Sequence, residues 1–410
     1  MTNAYDILLE RGFVEQVSEE ERLRQLLSET TITCYVGYDP TAASLHVGNL
    51  LSIMMLGHLQ RAGHRPIALL GGGTAMIGDP SGRTELRKML SREQIVDNGR
   101  RIQQQFSRVL DFGAGGALLI DNADWLLELN YVEFLREIGR HFSVNRMLAA
   151  EAYKIRLETG LSFLEFNYQL LQAYDFLMLY RRHGCRLQMG GNDQWGNILA
   201  GVELIRRVEG QEAFALTAPL LTTAGGQKMG KTAAGAVWLD PELMPPFDFY
   251  QYWINVDDRD VVRLLQLYTF LPLSAISRFR QVQGAELREA KSLLAFEVTK
   301  LIHGEAAARN AREAALALFA ESGDGTGAPQ VVMNSGLFKE GIGIVDLFHA
   351  AGLASSKSEA RRLIQQGGAY VNRRRIESIA ERVGLSDFEE GELLLRAGKK
   401  RYQRVVIESD

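Results

Sequence analysis

The chain has 410 residues, of which 46% are hydrophobic and 23% charged; this is the composition of an ordinary folded protein with two or three domains, and it excludes a disordered or fibrous chain. Its 46 basic and 50 acidic residues leave a net charge of -4, so any contact with nucleic acid has to come from local patches rather than a basic field. Cys34 and Cys185 are the only cysteines, which fits a reducing compartment and excludes a cysteine-rich metal centre; no metal ligands are expected.

The first residues, MTNAYDILLERGF, carry acids among apolar side chains and lack a signal-peptide core, and no apolar run reaches about 18 residues. A cytoplasmic protein without a membrane segment is expected. From Thr31 the chain alternates like a strand, Asp39-Pro40-Thr41 breaks the pattern, and Leu50 to Leu59 is apolar at helical spacing on nearly every side. This predicts a buried strand, a short turn and a buried helix. His46, Gly48 and Asn49 fall at the turn-to-helix junction, where free backbone N–H groups and the positive dipole end favour an anion such as a phosphate. Gly48, having no side chain, would let a flat ring or a phosphate come close; the plainer alternative is a helix start with a packed histidine.

Arg65 to Leu70 reads as a second strand, closed by Gly71-Gly72-Gly73, and the length of the crossover predicts a right-handed parallel unit. In an open parallel sheet ligands bind outside the carboxyl ends of the strands, which is where Tyr35 to Asp39, Gly71 to Asp79 and the HVGN junction fall. The run GGGTAMIGDP has the wrong spacing for a dinucleotide fingerprint. Asp79, fenced by Gly78 and Pro80, is the more informative residue, and Arg83 and Arg87 follow as surface cations or phosphate partners.

Leu161 to His183 predicts one largely buried helix on which Tyr168, Gln172 and Asp175, at i, i+4 and i+7, form a single polar stripe. Polar groups buried together need partners, so the stripe belongs either to an inter-helix hydrogen-bond network or to the wall of a pocket for a small polar ligand. Arg186 to Gly191 is a further strand, and Asn192-Asp193-Gln194-Trp195 opens another helix; Asp193 would either hold ribose hydroxyls or cap that helix. After the apolar run Leu216 to Leu221, the small-residue loop TTAGGQKMGKTAAGA carries Lys228 and Lys231, as a solvated surface loop or as one that closes over a triphosphate.

The motifs HVGN, KMGKT and, between them, GGNDQWGN resemble the HIGH and KMSKS signatures of class I aminoacyl-tRNA synthetases. More specifically, YVGYDPTAASLHVGN, IGDPSGR, NYQLLQAYDF and LQMGGNDQWGN are similar to the bacterial tyrosyl-tRNA synthetase family, over essentially the whole chain. Asn49 stands where many relatives have histidine, and Gly230-Lys231-Thr232 replaces a Ser-Lys-Ser ending.

The resemblance implies tyrosine, ATP and tRNA(Tyr) as substrates, with Mg2+ travelling with ATP, and a homodimer formed near Phe142 to Leu161. Tyr35 and Asp175 would meet the tyrosine phenol, Asp79, Tyr168 and Gln172 its ammonium, and Gln194 would join the substrate set. His46, Asn49, Lys228, Lys231 and Thr232 would act on the ATP phosphates, while Gly37, Asp39, Gly48 and Asp193 would complete the nucleotide and adenylate contacts. Arg83 and Arg87 would meet pyrophosphate or the tRNA end. No protein nucleophile is required, because the tyrosine carboxylate attacks the α-phosphorus and catalysis rests on positioning and charge.

The expected fold is an α/β, Rossmann-like parallel-sheet catalytic domain over residues 1–232, with the dimer-forming insertion. A helical domain resembling an anticodon-binding module (233–320), a linker (321–340) and a small α+β S4-like RNA-binding domain (341–410) follow. From Gly341 onward there are 12 Lys and Arg against 10 Asp and Glu, a balance of +2, with Arg373, Arg374 and Arg375 forming one basic cluster. A tryptophanyl-type synthetase, a nucleotidyltransferase of the same superfamily and a non-catalytic RNA-binding protein on a synthetase scaffold remain as alternatives at this point.

Overall fold

The computed structural model describes residues 3–81, 90–149, 151–224, 226, 229–232, 235–319, 328–372, 374–389, 391–398 and 401–407. Arg83, Arg87, Lys228 and Arg373 therefore lie outside the described residues, and only the backbone of Lys231 and Thr232 is described. The chain divides into two compact units, Met1–Gly304 and Glu305–Asp410.

The first unit is built on a sheet of β1 (Gln16–Val17), β2 (Thr33–Tyr38), β3 (Arg65–Leu70), β4 (Leu118–Asp121), β5 (Cys185–Gly191) and β6 (Phe214–Ala218), in the order β1-β6-β5-β2-β3-β4. All pairs are parallel except β1 with β6. The near-continuous apolar runs of β3 and β6 are those of strands covered on both faces. The helix Val47–Arg61 is buried on almost every side from Leu50 to Leu59, as its unstriped apolar sequence requires.

One expected helix is two. Phe163–Phe166 and Tyr168–His183 are separated at Asn167, whose side-chain amide donates to the Phe163 carbonyl at 2.7 Å and so competes for the helical ladder. The short first piece is fixed by Ser162 at its N-cap and by Glu165, which pairs with the buried Arg156 at 3.1 Å.

Beyond the sheet, a two-residue hairpin of β7 (Lys231–Thr232) and β8 (Gly235–Ala236) leads into helices Pro246–Ile254, Val261–Tyr268, Leu273–Ser277 and Ala285–His303. Arg11 fastens this bundle to the first helix, Ala4–Arg11, donating to the carbonyls of Gln266, Thr269 and Leu271 at 2.9, 3.0 and 2.6 Å. Satisfying the guanidinium in this way is what lets a charged residue lie buried.

In the second unit the strands are β9 (Gln330–Met333), β10 (Ile342–Gly343), β11 (Ala369–Val371), β12 (Arg374–Arg375), β13 (Arg382–Val383), β14 (Glu392–Ala397) and β15 (Arg401–Ile407). Five form a sheet in the order β12-β11-β14-β15-β9, and β10 pairs with β13. Phe338, Leu347, Phe348, Ile364, Leu393, Leu395 and Val405 make the core under helices Ile344–Ala350 and Lys357–Gln365. Part of the stretch expected as linker belongs to this unit: β9 runs parallel to β15, and Phe338 is buried in the core. Four residues are too short a run to read as a strand without its partner, whose paired residues lie 74 positions further on.

Candidate active site

Chain order along the main sheet reverses at β2, with β3 and β4 to one side and β5 and β6 to the other. A reversal of this kind opens a crevice at the carboxyl ends of the strands, because the connections on its two sides leave in opposite directions. Asp39 follows β2, Gly71 to Asp79 follow β3, Asn122 follows β4, and Asp193 and Gln194 follow β5.

A continuous hydrogen-bond chain ties these loops together. The Tyr168 hydroxyl donates to Asp39 Oδ2 at 3.0 Å, and Thr74 Oγ1 donates to Asp39 Oδ1 at 2.7 Å. Asn122 Nδ2 donates both to Thr74 Oγ1 (3.0 Å) and to Asp175 Oδ2 (2.8 Å), and Trp125 Nε1 donates to Asp175 Oδ1 at 2.8 Å. Asp175 is 2% exposed. Burial lifts its pKa to about 8 although both donors favour the carboxylate, and the charges of Asp39 and Asp121 push the same way.

Tyr35 lies beside it, its ring 5.3 Å from that of Phe176. Its hydroxyl is buried with no hydrogen-bond partner among the described residues, and burial followed by the Asp175 charge holds its pKa well above the ordinary phenol value. A buried hydroxyl without a partner costs about 1–3 kcal/mol, so this pair presents an unmet donor-acceptor demand to whatever enters.

A second cluster forms on the β5 side. Gln194 Nε2 donates to Asp79 Oδ2 at 2.7 Å, and the Ser81 N–H donates to Asp79 Oδ1 at 2.9 Å. Asn197 Nδ2 reaches Gln172 Oε1 and Ser81 Oγ, each at 3.2 Å. The stripe thus splits its work: Asp175 faces the β4 side, Gln172 joins the Asp79 cluster, and Tyr168 holds Asp39. Thr74, Ser81, Asn122, Trp125 and Asn197 are participants that the sequence reading missed. For Asn122 and Trp125 a signal existed, since LLIDNADW is a short apolar run ending in polar residues, as at the other strand ends.

At the HVGN junction the structure corrects one expectation. The N–H groups of Gly48 and Asn49 are not open to an anion; both donate to His46 Nδ1, at 3.0 and 3.4 Å, while the His46 N–H donates to Asn49 Oδ1 at 3.1 Å. This is a capping box with imidazole in place of the usual hydroxyl. A Cβ on Gly48 would lie 2.8 Å from His46 Cε1, so the glycine makes room for the imidazole rather than for a ligand. Accepting at Nδ1 leaves the proton of a neutral His46 on Nε2, and accepting at Oδ1 turns the amide nitrogen of Asn49 outward as a donor. Gly37 sits at the exposed end of β2 with open space where a Cβ would be, and a Cβ on Gly191 would lie 2.7 Å from Asp193 Oδ1.

The lysine-bearing segment is brought to the same place. Gly230, at φ +86°, packs on the start of the Val47 helix so closely that a Cβ would be 2.9 Å from Val47 Cγ2. The Val237 N–H donates to the Gly230 carbonyl, and the Val47 N–H to the Val237 carbonyl, at 2.9 and 3.0 Å. The HVGN junction and the Gly230 backbone are therefore neighbours despite some 180 intervening residues. In the second unit, Arg374 pairs with Glu381 at 2.7 Å, whereas Arg375 is exposed beside Gly367.

These features belong to a recognisable class. Residues 27–320 match the family of tRNA synthetases class I (W and Y), so the chain belongs to the class I aminoacyl-tRNA synthetases. Residues 324–405 match the Tyrosine--tRNA ligase SYY-like C-terminal domain. The chain is 55% identical to the Tyrosine--tRNA ligase of Desulfosudis oleivorans, over 98% of each protein, and 53% identical to that of Acetivibrio thermocellus, over 99% of this chain and all of that one. It is also similar in structure to a C-terminally truncated mitochondrial tyrosyl-tRNA synthetase of Aspergillus nidulans, with a TM-score of 0.71 and 31% identity, covering 78% of this chain and 95% of that one. Within its class the chain belongs to the tyrosine–tRNA ligase family.

Proposed function

We propose that the crevice divides the work of a tyrosine–tRNA ligase among the residues described above. Tyrosine and ATP first give tyrosyl-adenylate and pyrophosphate; the terminal ribose hydroxyl of tRNA(Tyr) then takes the tyrosyl group and releases AMP. The carrying observation is the buried Tyr35 hydroxyl, unpaired among the described residues, beside the Asp175 carboxylate; together they supply one donor and one acceptor to a phenol. An indole offers no hydroxyl to match them, which disfavours the tryptophanyl alternative.

At the opposite end of the amino acid, Asp79, Gln172 and Gln194 take the ammonium, with Tyr168 and Asp39 closing that side of the pocket. Gly37, Gly48 and Asp193 line the adenosine moiety. The Nε2–H of His46 and the amide of Asn49 donate to the phosphates, and Lys228, Lys231 and Thr232 approach from the loop whose backbone abuts Gly48. Tyrosine carboxylate attacks the α-phosphorus while these donors meet the charge that grows on the phosphates as pyrophosphate departs. Mg2+ enters with ATP as part of the substrate. Arg83 and Arg87 serve pyrophosphate or the tRNA end.

RNA capture falls to the second unit through Arg373, Arg374 and Arg375, on an S4-like module from residue 341, with an anticodon-binding helical domain over 233–320. The working form is a cytoplasmic homodimer. Val132, Val144 and Phe163 are 72%, 56% and 70% exposed, and a groove of about 360 Å³ lined by Phe142, Met147, Leu199 and Leu204 opens in the same region. Pyrophosphate exchange into ATP, run with tyrosine, tryptophan and phenylalanine, tests the assignment: it should depend on tyrosine. Asp175→Ala should lower exchange with tyrosine far more than with phenylalanine; equal losses would make Asp175 a structural residue only.

A further inference from the structure

The helical bundle touches both ends of the lysine-bearing segment. On one side of Lys228, the Ala224 N–H donates to Asp260 Oδ2 at 2.8 Å. On the other side, the Gly230 backbone N–H lies toward the Tyr252 hydroxyl, where it favours the ionised phenol. Asp260 directly precedes the helix Val261–Tyr268, and Tyr252 lies on the helix Pro246–Ile254, close enough for the two side chains to interact electrostatically. The same bundle reaches the HVGN junction, where the buried Tyr268 hydroxyl donates to the Val47 carbonyl at 2.9 Å. Between these anchor points run the rings of Tyr252, Trp253 and Tyr268, the first pair edge to face and the second tilted, with centroids 5.2 and 4.8 Å apart.

Each contact is with a backbone group of the HVGN helix or of the loop leading through the lysine segment, and comes from an element that contributes nothing to the tyrosine pocket. The bonds also differ in cost of release. Val47 is held by a bond buried within the core, whereas Ala224 and Gly230 are held by half-buried side chains at the rim, which can be exchanged for water at low cost.

We infer that Tyr252 and Asp260 are positioning residues that hold the lysine segment in register with the Val47 helix, so that the helical bundle sets how the lysines meet ATP. The inference rests on the reading that Lys228 and Lys231 bind the ATP phosphates. On that basis, loosening either anchor weakens the use of ATP and leaves recognition of tyrosine intact. Because the bundle contributes no residue to the proposed tyrosine pocket, anything that binds it and shifts the Pro246–Ile254 helix changes adenylate formation through these two anchors.

The test uses the full-length protein. Tyr252→Phe removes only the hydroxyl, Asp260→Ala removes the acceptor, and Asp260→Asn keeps an acceptor oxygen. Tyr252→Phe and Asp260→Ala should each lower kcat/KM for ATP in pyrophosphate exchange by roughly three- to tenfold with KM for tyrosine unchanged, and Asp260→Asn should restore most of the loss. Trypsin should cut at the loop lysines several-fold faster in the first two variants, a readout independent of turnover. Placed in a Lys231→Ala background, Tyr252→Phe should cause little further loss, because it acts through the lysine segment. Parental kcat/KM for ATP in Tyr252→Phe and Asp260→Ala, an equal change in KM for tyrosine, or full additivity with Lys231→Ala would each overturn the inference. If Lys228→Ala and Lys231→Ala themselves left exchange untouched, the underlying reading of the lysines would fail first, and the two failures are thereby told apart.

Discussion

Trp125 donates its indole N–H to Asp175 across 50 residues of sequence, at 2.8 Å, and so holds a fully buried carboxylate in place at the floor of the proposed tyrosine pocket. The second oxygen of that carboxylate is held by Asn122, which also ties it through Thr74 to Asp39 and Tyr168. Recognition groups on four separate elements are thereby fixed relative to one another before any substrate enters, which reduces the ordering cost of binding.

The raised pKa of Asp175, about 8, makes stability depend on pH in a defined direction. An Asp in the unfolded chain releases its proton near pH 3.9, so between roughly pH 4 and 8 the folded protein holds one proton more than the unfolded one. Stability from this group is therefore fully present below about pH 4 and falls as pH rises toward 8. Thermal melts without ligands should show the Tm of the parent, relative to Asp175→Asn, decreasing from pH 5 to pH 8; a flat or rising difference would count against the raised value.

Asn49 has two separable tasks. Its Oδ1 accepts from the His46 N–H, and in the proposed mechanism its Nδ2 donates to the nucleotide. Asn49→Asp retains the first and loses the second, so it should melt close to the parent yet lose about 1–3 kcal/mol of transition-state stabilisation for adenylate formation. Asn49→Ala should lose both, with a further cost of about 0.5–1 kcal/mol from the damaged capping box. Asn49→His should keep most adenylate formation. Single-turnover adenylate formation together with thermal melts separates the contributions, and parental rates in both the Asp and Ala variants would reduce position 49 to a helix start.

The basic residues on β12 differ in availability. Both are exposed, but Arg374 is paired with Glu381. Arg375→Ala should weaken tRNA binding and lower the slope of log K against log salt by about one unit if it meets one phosphate, and Arg374→Ala should do less. Pyrophosphate exchange should not change in either. Binding titrations at several salt concentrations decide the matter; an unchanged slope would remove Arg375 from the RNA surface.

Val132, Val144 and Phe163 are exposed apolar side chains, and the proposed homodimer would cover them. Val144→Glu with Phe163→Glu should convert a dimer into a monomer in sedimentation velocity at micromolar concentration, by placing unpaired charges in the contact. A parental sedimentation coefficient for the double variant would move the interface elsewhere.

Local order was legible in the amino-acid sequence because it is written in the periods of the strand and the helix. The parallel unit around β2 and β3, the crevice at the strand ends, and the common helical face of Tyr168, Gln172 and Asp175 all follow from spacing within some 40 residues. The signature motifs were equally plain, since they are runs of adjacent residues. What spacing does not encode is the choice of partner. That Asn122 and Trp125 would hold Asp175, that Asp39 would accept from Tyr168, and that Gly230 would rest on Val47 depended on how long connections fold back, which tertiary packing alone decides. The same holds where local signals misled. The amides of Gly48 and Asn49 read as open donors until the His46 ring closed over them, and β9 read as linker until β15 lay beside it, because a helix end and a four-residue strand acquire their meaning only from the groups that satisfy their backbone.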